Sequence, residues 1–253
     1  MNIHPRYLLV LALLAGGLAE PATARAGGLV EIDFDPLDFN TPLDIDNPWW
    51  PLNALGTTFR YFAVEGEDEC VITDTTITAM SYLTATRVEA RIVQDLEWLD
   101  EGCDGAPDLL LEETDDWFAQ DNAGNVWYLG EDTLAYEYDD EGNLEDVSAE
   151  GSWEAGVDGA EAGIVMLADP QPGLWYRQEY LADEAEDMGK VLRLNARVSI
   201  DFGDFDGCLV TKEWTVLEPG HVEHKYYCQG IGLVHVEELK EKTVLVDLVA
   251  VNP

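Results

Sequence analysis

From Thr57 onward, apolar and polar positions alternate in short runs instead of recurring every three or four residues, which is the period of strands rather than helices. Residues 57–64, 69–78 and 86–96 are rich in aromatic and β-branched side chains, the composition of strands. In the third run Val88, Ala90, Ile92 and Gln94 alternate with Arg87, Glu89, Arg91 and Val93, an imperfect period of two. Residues 81–90 also hold good helix formers, so one short helix is allowed before that strand. The clearest hairpin joins 117–120 to 125–129 through Asp121-Asn122-Ala123-Gly124, where Gly124 can take the positive φ that a tight link needs. A second hairpin is predicted from 134–138 and 144–148. Strand patterns resume at 174–180, 191–200, 208–216, 223–228, 233–237 and 243–251, whereas 151–172 reads as a long ordered loop. With no long helical stripe, a helical core or doubly wound fold is disfavoured. The expected fold is all-β with at most one short helix, an antiparallel curved sheet or half-barrel.

The N-terminus departs from this pattern. Arg6 precedes an apolar run at 7–18, and Ala24-Arg25-Ala26 supplies small residues around a cleavage point. That order is the signature of a secretory signal peptide over 1–26, too short to span a bilayer comfortably. The mature chain would begin at Gly27 with an acidic arm over 27–47, followed by a single β-rich body over 48–253 with no membrane-spanning stretch. Export places the protein in the periplasm or outside the cell, and a monomer is expected.

Cys70, Cys103, Cys208 and Cys228 all lie in the mature part, and an even number in an exported chain reads as disulfides. Four cysteines allow three pairings. The turn signature Glu218-Pro219-Gly220-His221 would bring Cys208 beside Cys228 across two antiparallel strands, which leaves Cys70 for Cys103.

Charge narrows the partners. The chain carries 13 Lys plus Arg against 52 Asp plus Glu, a net charge of -39. Nucleic acid and anionic membrane surfaces need a positive face and are therefore excluded as expected partners. The acids are spread along the whole chain, which suits a solvated surface; the functional alternative is a divalent-cation site, with calcium the candidate ion and no other cofactor indicated. The densest acid-and-glycine loop holds Asp201, Asp204 and Asp206, punctuated by Gly203 and Gly207, although its spacing differs from the twelve-residue calcium loop. Arg177, a scarce cation beside Tyr176 and Glu179, is expected either to form an ion pair or to hold a ligand carboxylate.

Catalysis has less to stand on, and no catalytic residues are assigned. Past residue 27 only His221, His224 and His235 are available, and the odd spacing of the first two sends them to opposite faces of a strand. Glu213 with Glu223 would be the carboxylate pair of a glycan hydrolase. A carrier of an apolar ligand would instead need a large closed cavity. Trp117, Trp127, Trp153, Trp175 and Trp214 fit an aromatic core. A faint echo between 48–150 and 170–253 suggests two related sheet units packed as one body: Phe59-Arg60-Tyr61 and Cys70-Val71 parallel Tyr176-Arg177-Gln178 and Cys208-Leu209.

Several long motifs are similar to a widespread family of exported bacterial proteins without an assigned activity. They are Asn47-Pro48-Trp49-Trp50-Pro51-Leu52, Asp116-Trp117-Phe118-Ala119-Gln120-Asp121 with Gly124-Asn125-Val126-Trp127-Tyr128, Gly151-Ser152-Trp153-Glu154-Ala155-Gly156-Val157-Asp158-Gly159-Ala160, Tyr176-Arg177-Gln178-Glu179-Tyr180, and Thr211-Lys212-Glu213-Trp214-Thr215 with Leu217-Glu218-Pro219-Gly220. The resemblance implies an exported β-rich body and lends no catalytic residue. The stretch between Cys70 and Trp117 departs from the family pattern.

Overall fold

The computed structural model describes residues 27–65, 69–139, 141–239 and 245–252. The expected signal peptide lies outside the described residues. Five strands form a first meander: β1 (Thr58–Glu65), β2 (Glu69–Leu83), β3 (Glu89–Asp100), β4 (Leu109–Gln120) and β5 (Val126–Tyr138). Against β5 lie β6 (Leu144–Ser148), β7 (Trp153–Glu154) and β8 (Glu161–Met166). Two short strands follow, β9 (Trp175–Arg177) and β10 (Glu179–Tyr180). A second meander comprises β11 (Asp187–Ile200), β12 (Gly203–Thr215), β13 (Val222–Cys228), β14 (Gly232–Glu238) and β15 (Leu245–Asn252).

Every pairing between these strands is antiparallel, and together they make one 15-stranded sheet. The meanders join where β1 pairs with β15. At the far side, β9 pairs with β11 and β10 pairs with β8, with only Gln178 between β9 and β10. Residues 175–180 thus act as a closing strand whose two halves serve opposite edges of the sheet, giving a nearly closed barrel. Closure depends on Gly163, where an added Cβ would lie 2.2 Å from the Gln178 carbonyl carbon. Gly130, at φ 137, similarly lets β5 approach β7, since a Cβ there would meet the Trp153 carbonyl oxygen at 2.3 Å.

The acidic arm lies along the body. Val30 donates to the Trp175 carbonyl, Phe34 and Phe39 pack against the Trp127 ring, and Asn122 donates to the Asp38 carbonyl. Asn47 ties the arm to the first hairpin by donating to the carbonyls of Gly124 and Leu167. Around and beyond it, Ile45, Trp49 and Leu52 are buried in the main core. Trp50 reaches between opposite walls, its ring 5.4 Å from Phe118 on β4 and 5.5 Å from Tyr227 on β13. Together with Tyr128, stacked on Phe118 at 4.9 Å, these rings form an aromatic floor across the barrel. A smaller apolar cluster surrounds the Cys208–Cys228 bridge, with Val210, Tyr226 and Val234. Cys70 pairs with Cys103. Both expected disulfides are formed.

Three segments differ from the expected pattern. Residues 81–90 form the end of β2, a turn and the first residues of β3, so no α-helix is found there. Among the described residues the helical element is a 3-10 turn over Pro36–Asp38, capped by Asp35. The expected loop at 151–172 contains β7 and β8. β4 starts at Leu109, well before the aromatic residues that announced it. No helix of the described residues is long and apolar enough to cross a membrane.

Candidate functional site

Directly paired residues of an antiparallel ladder share a face, so register shows which side chains point inward with Phe118 and Tyr227. On the first meander that face continues toward the opposite end of the barrel. Asp116 is paired with Glu131, Asp95 with Thr114, and Glu97 with Glu112. On the second meander Tyr227 is followed inward by Lys225, paired with Thr211, and by Glu223, paired with both Glu213 and Glu238. Asp187 stands opposite Thr215. Glu179 on the closing strand is buried. Above the aromatic floor, the barrel wall is therefore lined mainly by carboxyl and hydroxyl groups.

A fixed cation stands among them. Lys225 Nζ lies 3.2 Å from Glu213 Oε2 and 3.3 Å from Glu223 Oε2. Glu213 Oε1 also accepts hydrogen bonds from Thr211 Oγ1 at 2.7 Å and Tyr227 OH at 3.0 Å. Burial alone would raise the Glu223 carboxyl, but Lys225 and His221 overrule it and pull it down to about 2. Burial would likewise pull Lys225 down, and Glu213, Glu223 and Asp187 instead hold its ammonium well above the usual lysine range. At the end away from Trp50, the more exposed His221 reaches Glu223 at 3.5 Å and Glu238 at 3.8 Å.

The acids beyond this bridge behave differently. Burial pushes Glu131 up to about 8, Asp187 to about 7 and Asp95 to about 6. Asp116 and Glu179 are raised well above the ordinary range, first by burial and then by acidic neighbours: Asp95 and Glu131 act on Asp116, and Asp187, Glu131 and Asp116 on Glu179. These influences cross the barrel: Asp187 acts on Glu131, and Glu179 feels both Asp116 and Lys225. Hydrogen bonding leads to the same conclusion independently. The Tyr128 hydroxyl contacts both Asp116 Oδ1 and Glu131 Oε2, the latter at 2.7 Å. A phenol has one proton to donate, so a proton on one of the two carboxyls would complete the second contact. Asp187 Oδ1 and Asp95 Oδ1 are buried without any hydrogen-bond partner.

The residues singled out from sequence lie elsewhere or play other parts. Asp201, Asp204 and Asp206 occupy the exposed tip of the β11–β12 hairpin. There Ser199 Oγ donates to Asp204 at 2.6 Å, and Arg197 Nε donates to Asp206 at 2.5 Å. Arg177 and Glu179 are not brought together: Arg177 lies outside, over the Tyr180 ring at 4.3 Å and 3.8 Å from Glu161, while Glu179 is buried. Glu213 and Glu223 are paired as proposed for a hydrolase, but Lys225 neutralises both from between them. His221 and His224 do face opposite ways, since His224 meets Glu237 at 3.8 Å on the outer surface. Near it His235 Nδ1 lies 2.5 Å from Asp247 Oδ1.

Among the described residues no group of three or more His, Cys, Asp or Glu is placed to hold a metal ion. The interior acids Asp95, Glu112, Asp116 and Glu131 escaped sequence reasoning, which assigned the acidity to a solvated surface. The available signal was their alternation within strands: Asp95 with Glu97, and Glu112 with Thr114 and Asp116, each two residues apart.

No family model matches the chain, and no curated protein matches it. Among solved structures, the chain is similar to the crystal structure of a putative lipoprotein from Parabacteroides distasonis ATCC 8503, with 10% identity and a TM-score of 0.41. That likeness covers 81% of this chain and 99% of the other.

Proposed function

We propose that this is an exported, non-enzymatic binding protein of the periplasm or the extracellular space, and that it holds a cation inside its barrel. The observation that carries this reading is the imbalance of charge on the inner face: Asp95, Asp116, Glu131, Glu179 and Asp187 stand together there, and Lys225, the cation whose field reaches Glu179 and Asp187, is already engaged by Glu213 and Glu223. Removing carboxylates from water is costly unless each gains a proton, a fixed cation or a ligand. The two disulfides suit an oxidising compartment, and the resemblance to exported bacterial proteins supports the same location. The carboxylate wall argues against an apolar-ligand carrier, and the Glu213–Lys225–Glu223 bridge against those two acids acting as a hydrolytic pair.

Thermal unfolding of the purified protein against mono-, di- and organic cations in buffered sodium chloride tests the proposal. A cation ligand raises the midpoint beyond the effect of sodium chloride at equal ionic strength, because binding to the folded state alone stabilises it. If no cation does so, the proposal is wrong.

A further inference from the structure

We infer that the cation held in the chamber is a linear aliphatic diamine or polyamine, seated beside Lys225 against Asp187, Glu131, Asp116 and Asp95. This rests on the reading that the barrel holds a cation, and adds the chemical class. The chain itself shows what the wall accepts, since the Lys225 ammonium bridges two carboxylates at 3.2 and 3.3 Å. The seat next to it is incomplete. Thr215 supplies a hydrogen bond to the Asp187 carboxyl, yet Asp187 Oδ1 has no partner, and neither has the buried Asp95 Oδ1. An alkylammonium brings three N–H donors on a narrow stem and can serve such separated acceptors one or two at a time.

The spacing of the acids favours more than one ammonium. Asp95 stands opposite Thr114, and Asp116 opposite Val93, which makes Asp95 and Asp116 diagonal neighbours. Such neighbours lie about 7 Å apart, and a chain of four methylenes carries two ammonium groups across a comparable span. Glu112, two pairs further along β4, extends the series toward the His221 end. A desolvated hard divalent ion fits less well, because it needs six to eight converging oxygens and no group of three acidic or histidine ligands converges among the described residues.

Calorimetric titration of the purified protein at pH 7.5 in 150 mM sodium chloride, with 1,4-diaminobutane, spermidine and calcium chloride in turn, decides between the classes. Saturable one-to-one binding of an amine is expected, at least tenfold weaker in Asp187→Asn and in Glu131→Gln. Binding should be unchanged in Asp132→Asn, which removes an outward carboxylate. Amine binding should also release protons, read from the dependence of the heat on the buffer's ionisation enthalpy. One-to-one calcium binding that Asp187→Asn abolishes, without amine binding, overturns the amine inference and leaves the cation-holding barrel standing. Amine binding that Asp187→Asn and Glu131→Gln leave intact, while both keep a native circular-dichroism spectrum, assigns the heat to the acidic outer surface and overturns both. Loss as large in Asp132→Asn as in the inward variants overturns both as well, as does absence of heat from every cation.

Discussion

Replacing Glu131 by glutamine should stabilise the protein at alkaline pH and leave it nearly unchanged at acidic pH. A carboxyl raised in the folded chain binds its proton more tightly there than in the unfolded chain. Its contribution is therefore fully present below the unfolded pKa and is lost as pH rises through the folded one. For Glu131 that window runs from the ordinary glutamate value of 4.5 to about 8. At about 1.4 kcal/mol per pKa unit, the ionised group would cost the folded state about 5 kcal/mol above the window. Asp116, Glu179 and Asp187 share the field, and relaxation and water reduce it, so a gain of roughly 2–4 kcal/mol at pH 9 is the realistic expectation. The amide keeps an acceptor for the Tyr128 hydroxyl, which bonds Glu131 at 2.7 Å, and its NH2 faces neighbouring carboxyls. At pH 5 the two chains should agree within about 1 kcal/mol. Urea denaturation of both, from pH 5 to pH 9, measures this directly. The wild type should lose stability across the range, and Glu131→Gln should lose less. If glutamine destabilises by the same amount at pH 5 and pH 9, Glu131 is not a buried, proton-holding acid.

Removing the fixed cation should act in the opposite sense. Lys225→Met strands Glu213 and Glu223, and at pH 8 should cost about 3–5 kcal/mol, a loss that shrinks as pH falls and those carboxylates accept protons; urea titrations at pH 8 and pH 4 compare the two. Gly163→Ala should disrupt the contact between β8 and the closing strand, because its Cβ would meet backbone at 2.2 Å, and a loss of at least about 3 kcal/mol or failure to fold should follow in a thermal melt. Opening the Cys208–Cys228 loop, with its sequence separation of 20, by a double serine substitution should cost about 3 kcal/mol; opening Cys70–Cys103, with a separation of 33, should cost slightly more, read from denaturation midpoints. Trp50→Ala should remove the ring between Phe118 and Tyr227 and cost about 3–5 kcal/mol, measured by urea denaturation.

The β class, the first hairpin and both disulfides were legible because each has a local cause. Asp121 caps the link after β4 by accepting from Ala123 and Asn125, with Gly124 at φ 96, and those residue types announce a turn by themselves. The Pro219-Gly220 turn likewise sets β12 against β13 with Leu209 opposite Tyr227, so Cys208 and Cys228 meet. The start of β4 was hidden because Leu109-Leu110-Leu111-Glu112-Glu113-Thr114-Asp115-Asp116 is poor in the β-branched and aromatic residues that mark strands. Its acids fit because alternate positions face the chamber, a fact created only by barrel closure. For the same reason the site was unreadable: Asp116, Asp187 and Lys225 come from three separate strands, and no local spacing reports that they share one interior.

The surface acids and the interior acids obey different physics. A charge on the outer wall is screened by salt within about 10 Å and contributes little beyond solubility. At Asp187 and Glu131 burial outweighs such relief, and neighbouring acids raise both carboxyls further. Apolar residues of similar volume would commonly make an equally stable or more stable core. Stability therefore does not account for carboxyls on β3, β4, β5, β10 and β11 facing one another around a lysine already engaged elsewhere. Protons can neutralise the inner acids near pH 5, where the raised carboxyls of Glu131 and Asp187 hold them. At higher pH they leave, and a positively charged guest then gains what the folded barrel loses. The pH dependence of stability and the affinity for a cation are thus two measurements of one quantity, and they must move in opposite directions.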